Sequence, residues 1–199
     1  MLRNHNSPCL WLAGLFLLSV GPALGAASVP EGPQEDAVIA IRELYARTGE
    51  AIRQAVANTS LENQELYCNE VVLNRYNGPW RAVGNFSCRE SFWYTNQPEF
   101  ARSDDRPGES VLVKVEIKET AAVSTVSEEY LFDEGKLVFY YCREKGGDSA
   151  LREERLYFQA GKVIRRLGDP KGEGYEPSDP VKVLARAAGL QKFFLSFFD

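Results

Sequence analysis

The chain has 199 residues, 23 of them basic and 28 acidic, for a net charge of −5. That balance lacks the basic footprint of a nucleic-acid binder or of a protein held on an anionic membrane surface. One histidine, His5, and four cysteines narrow the catalytic and metal chemistry further.

Residues 1–25 read as a secretory signal. Arg3 supplies the positive start, and the apolar run over 10–20 is too short to span a bilayer. Ala23-Leu24-Gly25 or Gly25-Ala26-Ala27 offers small residues for cleavage, and Cys9 precedes the apolar run, where it cannot act as a lipidation site. The expectation is an extracytoplasmic protein, periplasmic or secreted. Cleavage would remove His5 and leave a chain without imidazole, which excludes Ser-His-Asp and Cys-His nucleophiles and His-containing zinc sites. It would also remove Arg3 and no acid, taking the charge from −5 to −6. No cofactor and no metal is expected, since Cys68, Cys88 and Cys142 stand far apart and nothing resembles CxxC.

Residues 26–35 form a Pro- and Gly-bearing leader, expected to be flexible, and 36–199 are expected to make a single domain. "EDAVIAIRELYARTGEAIRQAVAN" has helical spacing. Val38, Ile41, Leu44, Tyr45, Ile52 and Val56 share one face, with Arg42, Glu43, Arg47 and Glu50 on the solvated one. From residue 66 the period becomes two, predicting strands over 66–76, 84–95, 110–118, 123–132, 137–143, 152–158 and 162–167. No intervening segment is long enough for a crossover helix, so neighbours should pair antiparallel. A final helix follows Ser178 or Asp179 as cap and Pro180 in the first turn, with Val183, Leu184, Ala187, Leu190, Phe194 and Phe198 on one side. The fold class is therefore α+β: a leading helix, a meander of six to seven antiparallel strands forming a twisted sheet or half-barrel, and a closing helix. In outline this resembles half-barrel carriers of lipids or lipoproteins and helix-plus-sheet inhibitor proteins, an outline that brings no site residues with it.

One sequence echo stands out. "YLFDEGKLVFYYC" from Tyr130 and "LYFQAGKVIRRLG" from Leu156 align on their Gly-Lys pairs. Both read as two-residue hairpins with glycine at the second turn position, setting Phe132 opposite Leu137 and Phe158 opposite Val163. Continued outward without interruption, that register sets Tyr130 opposite Phe139 and Tyr157 opposite Ile164. A hairpin centred on Gly78 would bring Cys68 opposite Cys88, so these two are expected to form a disulfide, with Cys142 a free thiol.

The aromatic residues Trp80, Trp93, Tyr94, Phe139, Tyr140 and Tyr141 put rings on both sheet faces, more than a sheet covered on one face would need. They are the expected surface for a protein partner or an apolar ligand of a non-enzymatic protein. A His-free enzyme acting on glycans through a carboxylate pair is the alternative, built on Glu128, Glu129, Asp133, Glu134, Glu153 and Glu154, with Glu128 sharing a face with Tyr130 and Tyr141. A structural or assembly component of the cell envelope is the third reading. Asp104-Asp105 lacks the calcium-loop spacing, and Asn58-Thr59-Ser60 and Asn85-Phe86-Ser87 match the glycosylation sequon.

Overall fold

The computed structural model describes residues 32–57, 66–81, 84–95, 112–122, 124–146, 151–168 and 176–198. The expected signal, the first part of the leader, the sequon at Asn58 and Asp104-Asp105 lie outside the described residues. Helix α1 spans Pro33–Ala57, so the last residues of the expected leader are helical. Pro33 sits in the first turn, where a missing N–H leaves no bond unmade, and Glu35 and Asp36 face the positive end of the helix dipole. Val38 and Ile41 are buried, while Arg42, Glu43, Arg47 and Glu50 are exposed, as the spacing requires. The apolar face stops short of expectation: Thr48 is the last buried residue, and Val56 is 71% exposed.

The strands are β1 (Tyr67–Leu73), β2 (Pro79–Trp80), β3 (Gly84–Tyr94), β4 (Leu112–Ala121), β5 (Ser124–Asp133), β6 (Lys136–Gly146), β7 (Arg152–Gln159) and β8 (Lys162–Gly168). They form one antiparallel sheet in the order β1-β3-β4-β5-β6-β7-β8, with the two-residue β2 alongside β3. The meander is as expected.

The echo is a hairpin device with a second component that periodicity does not reveal. Both turns have positive φ at each central residue, +47° and +70° at Glu134-Gly135 and +49° and +73° at Ala160-Gly161. This is the backbone twist that two-residue hairpins favour. Phe132 pairs with Leu137 and Phe158 with Val163, as predicted, but just beyond that pair each strand leaving the turn carries a bulge. Leu131 pairs with Phe139 and Tyr157 with Arg165, leaving Val138 and Ile164 as the extra residues. Tyr130 is therefore opposite Tyr140, not Phe139. A one-residue slip exchanges the faces of all that follows, so Tyr140 joins Glu128 and Tyr130 while Tyr141 lies on the other face. Ala160 bears a Cβ in the left-handed region, which asparagine tolerates better. Ala160→Asn is expected to raise stability by about 0.5–1 kcal/mol, read as a higher urea midpoint at unchanged slope.

Adjacent strand residues point to opposite faces, and each face has its own helix. Phe92, Tyr94, Val115, Ile117, Tyr130, Phe132, Tyr140, Leu156 and Phe158 form the larger core with Val183, Ala187, Leu190 and Phe194 of helix α2 (Pro180–Leu195). Asp179 caps α2, its Oδ1 accepting from the Val181 N–H at 2.9 Å. Leu131, Phe139 and Tyr157 form the smaller core with Val38 and Ile41 of α1, and both bulge residues pack against it. Rings occur on both faces because a helix covers each. The sheet does not close into a barrel, and β1 and β8 are its edges.

Cys68 and Cys88 are both free thiols, correcting the expected disulfide. The β1–β3 register pairs Cys68 with Trp93 and Leu73 with Cys88, so the two cysteines are offset along the ladder and face opposite sides of the sheet. The intervening β2 and its turns displace the centre of symmetry from Gly78. Cys142 is also free; burial pushes its thiol up to about 11, as it does that of Cys68.

Candidate functional site

The six aromatic residues singled out in the sequence do not assemble into one surface. Trp80 is 49% exposed on β2, with its ring on Phe86 at 4.9 Å. Trp93 is buried on the α1 face, where Nε1 donates to Glu116 at 3.3 Å. Tyr94 lies beneath the end of α2, against Phe194 and Phe198. Tyr140 faces α2 and donates its hydroxyl to Glu128 at 2.7 Å, where Tyr130 donates at 3.3 Å. Only Phe139 and Tyr141 come together, since alternate residues of β6 share the α1 face.

These two belong to a cavity of about 250 Å³ between α1 and the sheet, lined by Ile41, Arg42, Tyr45, Phe139, Tyr141, Arg155 and Tyr157. Its construction is simple. Phe139 pairs across the ladder with Tyr157, and Tyr141 with Arg155, giving a four-residue patch of sheet. One turn of α1 crosses it and places Ile41, Arg42 and Tyr45 above. Phe139 meets Tyr45 edge-on at 5.1 Å and Tyr157 edge-on at 5.0 Å. The Arg42 guanidinium lies over the Tyr157 ring at 5.6 Å, and that of Arg155 over the Tyr141 ring at 5.0 Å.

The hydroxyls of the three tyrosines are all engaged. Tyr45 donates to Glu129 at 2.7 Å, Tyr141 donates to Glu153 at 2.9 Å, and Tyr157 accepts from Arg42 Nε at 3.4 Å. Burial first, then the bond to Glu129, pushes the Tyr45 hydroxyl well above its ordinary value. Tyr141 is raised by burial and by Glu153, while the bond from Tyr141 leads the causes that lower the Glu153 carboxyl. The phenols of Tyr45 and Tyr141 are thus held as protonated walls. Behind Tyr45 lies Lys114, buried, its ammonium 2.7 Å from both Glu116 and Glu129 and 4.9 Å from the centre of the Tyr45 ring.

Comparison with protein-family models, with curated proteins and with solved structures gives no match.

Four of the six carboxylates of the glycan-enzyme reading are held in ion pairs, and Asp133 and Glu134 are exposed at the β5–β6 hairpin. Glu128 meets Arg186 of α2 at 3.2 Å, Glu129 meets Lys114, Glu153 meets Arg155 at 3.2 Å and Arg143 at 3.7 Å, and Glu154 meets Arg166 at 2.6 Å. Glu128 shares its face with Tyr130 and Tyr140, not with Tyr141, because of the bulge at Val138. Among the described residues, no group of three His, Cys, Asp or Glu side chains could hold a metal ion, and no helix is long and apolar enough to cross a membrane.

Glu90 lies on the α2 face, where Arg186 and Glu128 act on it. Burial, with Glu128 adding and Arg186 opposing, raises its carboxyl above the ordinary value. Its charged form is thus disfavoured by folding. The cost is absent below the unfolded carboxylate pKa, grows as pH rises and is complete above the raised folded value. Glu90→Gln is expected to stabilise the protein near pH 7 by at most about 1 kcal/mol, allowing for solvent screening, and to change nothing near pH 3. Urea midpoints at both pH values check this.

Sequence reasoning missed Ile41, Arg42, Tyr45, Arg155 and Tyr157 as members of one site. Arg42 reads as part of a solvated helix face, and it is exposed; what periodicity lacks is the crossing point of α1 on the sheet. One signal was available. Tyr157 and the run from Phe139 to Tyr141 occupy the two arms of the echo, and adjacent hairpins of a meander bring those arms together.

Proposed function

We propose that this chain is an exported, non-enzymatic binding protein that takes a small ligand with an apolar face into the cavity between α1 and the sheet. The observation that carries the reading is the cavity itself. Its walls are mostly aromatic, the tyrosine hydroxyls are already engaged, and the space lies just below the usual range for small-molecule sites, as suits a small ligand. The opposite face supports it by contrast, since Phe92, Tyr94, Phe194, Phe197 and Phe198 fill the space under α2. Export rests on the signal-like residues 1–25, and the binding of a protein partner on the same aromatic face is the competing use of this surface.

The apolar fluorophore N-phenyl-1-naphthylamine tests the proposal. Its emission should rise saturably with protein. Tyr141→Ala should weaken binding about three- to tenfold by removing one wall, and Ile41→Trp, which fills the cavity, should abolish it in a protein that still unfolds cooperatively. Binding that ignores Ile41→Trp, or no saturable binding, would sink the reading.

A further inference from the structure

Resting on that reading, we infer that the ligand is an anion, and that its class is an aryl carboxylate: a planar ring bearing one carboxylate. The ring follows from the walls, and the charge from the arginines. Arg42 and Arg155 line the cavity, one from the helix and one from the strand, each lying on a tyrosine ring that bounds the space.

Neither guanidinium is fully neutralised. The polar contact of Arg42 is the Tyr157 hydroxyl, and Glu35, the carboxylate that acts on it from a distance, is bound to Arg165. Arg155 has Glu153, but that one carboxylate also serves Arg143 and the Tyr141 hydroxyl. Beside the cavity Arg42, Arg143, Arg155 and Lys114 thus stand against Glu116, Glu129 and Glu153, an excess of one positive charge, in a chain whose net charge is −5. The local field runs against the charge of the whole molecule. Guanidinium presents a planar fork that matches a carboxylate with two parallel hydrogen bonds, and a fork already laid on an aromatic ring loses little freedom on binding. A ligand ring seated against Tyr45, Phe139 and Tyr157 would carry its carboxylate toward those forks, where a neutral ring would leave Arg42 without a carboxylate partner.

The test is displacement of N-phenyl-1-naphthylamine by two molecules with the same ring system, 1-naphthoate and its neutral amide 1-naphthamide. Naphthoate should displace the fluorophore at about tenfold lower concentration at low ionic strength, and added salt should narrow the difference. In the double variant Arg42→Gln/Arg155→Gln, the ratio between the displacing concentrations of the two competitors should fall to about one, whatever that variant's own affinity for the fluorophore. Equal displacement by naphthoate and naphthamide on the unaltered protein, with the fluorophore bound and sensitive to Ile41→Trp, would overturn the anion inference and leave the cavity reading standing. No binding of the fluorophore to the unaltered protein would overturn both.

Discussion

Replacing Phe92 by alanine is expected to cost about 3–5 kcal/mol of folding stability. Phe92 is fully buried in the middle of the α2 face, paired across the ladder with Val115, which is equally inaccessible. Its ring meets Phe193 edge-on at 5.8 Å, Phe194 in a stacked arrangement at 6.3 Å and Phe197 edge-on at 5.3 Å. Those three lie at the end of α2 and just beyond it, so one strand residue anchors the last turns of the closing helix. The backbone of β3 is held by ladders on both sides and cannot move inward to close the space. The cavity cost therefore adds to the lost transfer energy instead of relaxing away. Urea unfolding should show a much lower midpoint at unchanged slope. A loss below about 1 kcal/mol would mean that the α2 phenylalanines repack without Phe92.

Lys114→Met is expected to cost about 2–3 kcal/mol, less than the removal of one partner from a fully buried pair because both carboxylates retain some solvent. Glu116 and Glu129 are direct cross-strand partners on β4 and β5, an arrangement in which like charges repel. Lys114 makes it tolerable by placing its ammonium 2.7 Å from each. The same ammonium lies beneath the Tyr45 ring, and the Tyr45 hydroxyl closes the circuit on Glu129. Removing the lysine leaves two facing carboxylates and loosens the side chain that holds α1 over the cavity. The triple variant Lys114→Met/Glu116→Gln/Glu129→Gln should recover most of the loss, because it removes the stranded charges with their partner. Additive losses in the triple variant would show that the ion cluster is not the source of the effect. Lys114→Met should also weaken the aromatic fluorophore, a link that a purely local defect in the sheet would not produce.

The parts of the fold legible in the sequence are those encoded by local repetition. The helical spacing from Val38 to Tyr45, the alternation of the strands and the Asp179-Pro180 start of α2 all follow from a residue's immediate neighbours, and all are present. The hairpins at Gly135 and Gly161 were equally legible, because a two-residue turn with positive φ asks for glycine. What failed, failed by one or a few residues. The bulges at Val138 and Ile164 and the offset produced by β2 are small backbone events without a composition of their own, yet each resets the register beyond it. The Cys68–Cys88 bridge fell to the second of these, and the grouping of Glu128 with Tyr141 to the first.

Local residue patterns specify the two helices, the seven longer strands, their order and their antiparallel pairing, together with the surplus of rings that two covered faces require. Which rings meet is set by packing between elements. Phe139 and Tyr141 join Tyr157, Arg155 and a turn of α1, while Tyr140, one residue between them, joins Glu128 under α2. The physical reason is that strand neighbours diverge to opposite faces while residues far apart in the chain converge across ladders and beneath a helix. The cavity, and the arginines that give it a positive rim, exist only through that convergence.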